Sequence, residues 1–176
     1  MIADAPRRAN ARANLVAMAG RSCFNAPVRA VVQRVAEARV SVGDEVVGAI
    51  ARGLCVLLGV GRGDTETDAD TLCRKIIALR VFEDDAGRFA HSLADVQGAL
   101  LVVSQFTLYG DVTGGRRPSF TEAAPAAEAE TLYTRFVERA RADGVAVATG
   151  RFRAHMALTL VNDGPVTLVL DTAGAS

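Results

Sequence analysis

Tryptophan is absent, histidine occurs twice, and Lys75 is the only lysine among the 20 basic residues of this 176-residue chain. Each scarcity removes a class of chemistry. His91 and His155 are the sole imidazoles, and no serine sits in a GxSxG elbow, so no Ser-His-Asp hydrolase is legible. His91 precedes Ser92 beside a turn and reads as a surface pair; His155 falls in an alternating strand pattern and reads as structural. "GVGRGD" (59–64) is glycine-rich, but no lysine follows it, so it reads as a turn and not a phosphate loop. HExxH and a helix-opening GxGxxG are also missing. Three cysteines, Cys23, Cys55 and Cys73, are too far apart for a CxxC knuckle or redox pair. Cys55 and Cys73 lie in apolar patterns as small core residues, and a reducing, cytoplasmic setting fits. No apolar run approaches ~18 residues, so no membrane span is expected.

Charge of either sign is not in excess: 20 acids balance 20 bases, and half of the residues are apolar. That composition suits one globular domain with a sizeable core. Any site for a polyanion must then be local and not a whole-surface field. Residues 1–27 differ from the rest, carrying Arg7, Arg8, Arg12 and Arg21 against Asp4 alone. They read as an extension: a loose tail, an early start codon, or a targeting peptide of the Arg-rich kind. Residues 28–172 form the expected domain and 173–176 a tail.

Within the domain, "VRAVVQRV", "ARVSV" and "EVVGAI" read as strands, the last pair joined by a Gly43-Asp44 turn. "GLCVLLGV" (53–60) is a continuous apolar run, hence a strand buried on both faces. A helix follows, capped by Thr65 or Asp64, with Leu72, Cys73, Ile76 and Leu79 on one face. "EDDAGR" is a turn, and "ALLVVS" is the next strand. A second helix from about Ala124 to Ala142 has Ala129, Leu132, Tyr133, Phe136 and Ala140 on its apolar face and stops at Gly144. "VAVAT", "AHMALTLV" and "VTLVLD" are the closing strands. This predicts an α/β (α+β) fold: a single domain with an antiparallel-rich, barrel-like sheet and two helices.

Two stretches stand out. Ser104-Gln105-Phe106-Thr107 puts polar groups at the end of a core strand, where the ladder stops consuming N–H groups. Such a terminus either satisfies its own backbone or offers donors to a ligand. "VNDGPVT" (161–167) sets Gly164-Pro165 between two strong strands, which predicts a tight corner; it is an ordinary turn or a place where a ligand approaches closely.

Together, "SQFTL", then "GRRPSF", then "NDGPVT", after an opening "RAVVQRV", resemble the D-aminoacyl-tRNA deacylase family over roughly residues 28–171. The resemblance implies an enzyme that hydrolyses the ester of D-aminoacyl-tRNA, and of glycyl-tRNA, in translation quality control. It implies a cytoplasmic homodimer without metal or cofactor, with aminoacylated tRNA as partner, no DNA and no membrane. Gly164 and Pro165, joined by a cis bond, would reach into the partner's site, facing Ser104, Gln105, Phe106 and Thr107. Arg34 would hold the Gly-Pro corner through a carbonyl. Water would attack the ester, aided by the ribose 2′-OH, while N–H groups near Phe106 and Thr107 hold the oxyanion; Thr107 as a covalent nucleophile is the alternative. Arg116 and Arg117, after Gly114-Gly115, are candidates for tRNA phosphates or a solvated turn. Ala90 stands where the family often has Asn, and a small residue is usual near Arg153; both departures are expected to bear on the pocket wall or the dimer contact. A non-catalytic, nucleic-acid-binding relative with the same fold is the rival reading, and a dimer with no tRNA role is a third.

Overall fold

The computed structural model describes residues 27–172; Cys23, the Arg-rich front and the last four residues lie outside them. β1 (Arg29–Val42) is one 14-residue strand where two were expected. Its pattern breaks at Val35 because the strand serves two cores. Val28, Ala30 and Val32 lie at its start on one core; Val35, Ala38 and Val40 belong to the other. β2 (Glu45–Ile50) returns along β1, and β3 (Gly53–Gly59) continues the same pairing.

α1 (Glu66–Ala78) begins with a reciprocal cap. Thr65 Oγ1 accepts from the Asp68 N–H at 3.3 Å, and Asp68 Oδ2 accepts from the Thr65 N–H at 2.9 Å. Its buried stripe is Ala69, Leu72, Cys73 and Ile76, at helical spacing. β4 (Phe82–Glu83) and β5 (Phe89–His91) form a hairpin around "EDDAGR". β6 (Ala99–Ser104) leads into a short 3₁₀ turn, Phe106–Tyr109. α2 (Ala126–Ala142) buries Leu132, Tyr133, Phe136, Val137 and Ala140. β7 (Ala146–Thr149) and β8 (Ala157–Asp171) follow.

The main sheet has the order β2-β1-β3-β6-β7, with β8 on the other edge of β1. β3, β6 and β7 run parallel, which requires the crossovers that α1 and α2 supply. The remaining pairs are antiparallel. β2 curls back toward β7, so that a Cβ at Gly48 would lie 2.5 Å from the Thr149 carbonyl oxygen. The sheet is thereby nearly closed into a barrel around Val35, Val40, Cys55, Leu101 and Val103. On its outer face, Leu54, Val56, Leu58, Leu100 and Val102 meet Leu72, Ile76 and Phe136 of the helices. β3 and β6 are thus covered on both sides, which is why they read as unbroken apolar runs. Each such side chain stabilises the fold by roughly 2 kcal/mol. Burial pushes the Cys55 and Cys73 thiols up to about 11 and about 12, as fits small core residues.

The expected corner at "NDGP" does not turn the chain back. β8 is a single strand of 15 residues that passes through it. Gln33 pairs with Thr167 and Val35 with Asn162, so Arg34 alone faces the four residues 163–166. The long β1 holds both halves of β8, and the extra residues bulge outward.

Candidate active site

β6 ends at Ser104, opposite Leu58 at the end of parallel β3. The Gln105 N–H donates to the Leu58 carbonyl at 2.7 Å, the last rung. The chain then tightens, with Leu108 N–H donating to Gln105 O at 3.2 Å and Gly110 N–H to Thr107 O at 3.0 Å. A helical turn leaves its first N–H groups without partners of its own. Those of Phe106 and Thr107 have no protein acceptor among the described residues. The turn rests on Gly59, where a Cβ would sit 3.0 Å from Gln105 O and 3.1 Å from Leu108 Cβ. Arg29 fixes it from below: its Nη1 donates to Leu108 O at 3.2 Å and its guanidinium lies 4.7 Å from the Tyr109 ring centre.

Ser104, Gln105 and Phe106 line a cavity of about 700 Å³ at the C-terminal ends of β3 and β6. That volume suits a small-molecule group, and strand C-termini are where ligands bind in parallel sheets. Leu57, Val103, Met156 and Leu158 give it an apolar wall. Phe106 is exposed, its ring edge-on to Phe120 with centres 5.0 Å apart. Thr107 is not on this wall; its Oγ1 accepts from the Gln105 side-chain amide instead.

Arg62, Arg153 and His155 also line the wall, and the sequence assigns Arg62 and His155 to no site. β8 begins only at Ala157, so His155 lies in the irregular segment before it and not in a strand. The alternation of "AHMALTLV" carries no mark of that late start. Arg153 stands out in the sequence as a departure expected to bear on the pocket wall or the dimer contact, and it lines the wall. Among the described residues, no three of His, Cys, Asp or Glu converge as metal ligands would, and no helix is long and apolar enough to cross a membrane.

The bulge of β8 is built around Arg34, which is only 5% exposed. Its Nε donates to the Asp163 carbonyl at 3.1 Å and lies 3.2 Å from the Asp163 carboxylate. Its Nη1 donates to Val81 O at 2.6 Å, and both Nη atoms lie 3.3 Å from Glu83 Oε1. Asn162 closes the base of the bulge: its Oδ1 accepts from Val166 N–H at 3.0 Å, and its Nδ2 donates to Thr167 Oγ1 at 2.9 Å. At the tip, Gly164 has φ 124, and the Gly164-Pro165 bond is cis. Ser104 shares a row with Leu58, Ala30 and Leu170, whereas the bulge faces Arg34, further along β1 and beyond its far edge. None of residues 162–166 lines the cavity.

Arg116 and Arg117 are exposed in the loop whose stem is the Asp111–Ser119 pair, joined by two hydrogen bonds of 2.8 Å. Neither lines the cavity.

Residues 31–171 match the family described as D-Tyr-tRNA(Tyr) deacylase. A protein of Thermotoga petrophila named D-aminoacyl-tRNA deacylase is 58% identical over 146 residues, covering 83% of this chain and 98% of that one. Its namesake from Symbiobacterium thermophilum is 59% identical over 145 residues, covering 82% and 96%. Among solved structures, one of a protein named c-Myc DNA Unwinding Element Binding Protein superposes with a TM-score of 0.77 at 44% identity, covering 82% of this chain and 98% of that one. A second, described as a probable eukaryotic D-amino acid tRNA deacylase, has a TM-score of 0.71 at 20% identity, with the same coverage; it bears on the fold alone.

Proposed function

The chain belongs to the D-Tyr-tRNA(Tyr) deacylase family, and from that premise we propose that it hydrolyses the ester between a D-amino acid and the terminal ribose of tRNA. The observation that carries the reading is the pair of N–H groups of Phe106 and Thr107, without a protein acceptor among the described residues, in the turn that follows Ser104 on the cavity wall. An aminoacyl ester is already activated, so a modest oxyanion site suffices. Each aligned donor contributes about 3 kcal/mol to the transition state. Water attacks the carbonyl, the neighbouring ribose 2′-OH helps to activate it, and Ser104 and Gln105 orient the ester. No protein base is required at Thr107, whose hydroxyl is already engaged by Gln105.

Chirality is read by the bulge of a second copy. None of residues 162–166 lines the cavity of its own chain, so the bulge acts on a cavity across a dimer. Gly164 and Pro165 of one protomer then face residues 104–107 of its partner, and their carbonyls grip the substrate's α-amino group. An L side chain collides with the bulge; a D side chain points away. A thousandfold rejection needs only about 4 kcal/mol. Glycine has no side chain to collide, so glycyl-tRNA is also a substrate.

The test offers D-tyrosyl-tRNA and L-tyrosyl-tRNA to the purified protein and follows release of the amino acid. Release from the D ester alone is expected; release from both or from neither overturns the reading. The 44%-identical protein of known structure is named for DNA binding, which favours a second reading here: nucleic-acid binding without hydrolysis. Binding of tRNA with no release from either ester would establish it.

A further inference from the structure

We infer that Arg153 is a positioning residue whose guanidinium holds the tRNA backbone phosphate nearest the scissile ester. This rests on the ester-hydrolysis reading above and names the part of the substrate that the cavity rim takes.

The first support is backbone conformation. Arg153 has φ 61, in the left-handed region that side-chain-bearing residues adopt only at a cost. Glycine would occupy it freely, yet the chain carries its longest cationic side chain there. Strain kept at the rim of a cavity is a functional signal.

Its mount is also rigid. Arg153 lies in the β7–β8 connection, next to Phe152, whose ring packs 5.9 Å from that of Tyr133. The Tyr133 hydroxyl donates in turn to the Val102 carbonyl in the core at 2.9 Å. The Ala154 N–H closes the turn onto Arg151 O at 3.2 Å. The guanidinium is therefore held out from a fixed base.

Finally, the charge is unspent. Arg151, in the same turn, is paired with Glu45 at 2.9 Å. Arg62, on the same cavity wall, donates to the Thr121 carbonyl. Arg153 is exposed and has no acceptor among the described residues, and no acidic side chain described on the wall competes for it. An ester docked against the Phe106 and Thr107 N–H groups leaves the 5′ phosphate of the same nucleotide one ribose away. Arg153 and Phe106 line the same cavity, and a guanidinium takes a phosphate with two parallel hydrogen bonds.

The experiment compares wild type, R153G and R153K for D-tyrosyl-tRNA hydrolysis across a salt series, for binding of uncharged tRNA, and for thermal unfolding. In R153G, KM should rise about tenfold with kcat little changed, and the salt dependence of log KM should lose about one unit of slope. Uncharged tRNA should bind correspondingly more weakly, and Tm should hold or rise because glycine relieves the left-handed backbone. R153K, which keeps the charge, should recover most of the salt slope. Unchanged KM, salt slope and tRNA affinity in R153G overturn the inference. So does a change confined to the preference between D-aspartyl and D-tyrosyl esters, which would assign Arg153 to the amino-acid side chain. Inactive wild type would overturn the hydrolase reading instead, and the comparison of uncharged tRNA binding would still decide the role of Arg153.

Discussion

Arg34 Nε donates to the carbonyl oxygen of Asp163 at 3.1 Å, on the residue directly before Gly164. The same guanidinium donates to the Val81 carbonyl at 2.6 Å. One buried side chain thus ties the bulge of β8 to the segment that precedes β4. R34A would leave the Val81 carbonyl without its buried donor and release Asp163. A loss of about 2–4 kcal/mol is expected, from the orphaned acceptor and the broken pair. R34K keeps the charge but not the fork, so it should recover only part of the loss. Chemical unfolding of the three proteins checks the order.

The same geometry makes Gly164 sensitive. Its φ of 124 is unfavourable for any L side chain, and a Cβ there would lie 2.9 Å from Arg34 Nη2 and 2.9 Å from Val166 Cγ2. Arg34 is buried and held by several acceptors, so the bulge must move instead. G164A should therefore reduce the preference for D-tyrosyl-tRNA over L-tyrosyl-tRNA by at least about tenfold. The ratio of the two hydrolysis rates is the readout, and an unchanged ratio would remove the bulge from chiral selection.

Thr107 separates the two mechanisms. Its hydroxyl accepts from the Gln105 amide and does not line the cavity wall. If water is the nucleophile, T107A keeps the backbone N–H and should lose less than about tenfold in kcat. If the hydroxyl attacks, the loss should exceed about a thousandfold. Single-turnover hydrolysis of D-tyrosyl-tRNA distinguishes them.

What is legible in advance follows from the range of the interactions involved. β3 and β6 announce themselves because both faces are buried, and α1 does so through Thr65, Asp68 and its stripe. These are local signals. β1 reads as two strands because Val35 changes core, a fact about its neighbours and not its sequence. β8 reads as broken at Gly164-Pro165 because that pair favours turns. Only the unbroken β1 alongside, joined through Gln33–Thr167 and Val35–Asn162, carries the strand past it. His155 reads as part of a strand because alternation does not show where pairing begins, and Arg62 reaches the cavity only through the segment around Thr121. The motif residues 104–107 are identifiable by resemblance, but the free N–H groups of Phe106 and Thr107 depend on where the last rung falls, at Gln105.

Asp64 gives the fold a pH dependence of its own. Burial, the largest cause, pushes its carboxyl from the usual 3.8 up to about 7; the Gly61 N–H opposes this, the charge of Asp68 adds to it, and Arg29 opposes it weakly. Its Oδ2 accepts from Gly61 N–H at 2.6 Å, while Oδ1 is buried with no partner. Between the two pKa values the native state keeps a proton that the unfolded chain has released. Stability must therefore fall as pH rises through that window. The contribution is fully present below about pH 4 and lost above about pH 7. D64N imitates the protonated form and keeps an acceptor for Gly61. It should raise Tm by about 3 °C or more near pH 8, and the advantage should vanish near pH 4. Calorimetric scans of both proteins across that range test the assignment. An advantage that does not change with pH would mean that Asp64 is ionised throughout and that the stabilisation comes from elsewhere.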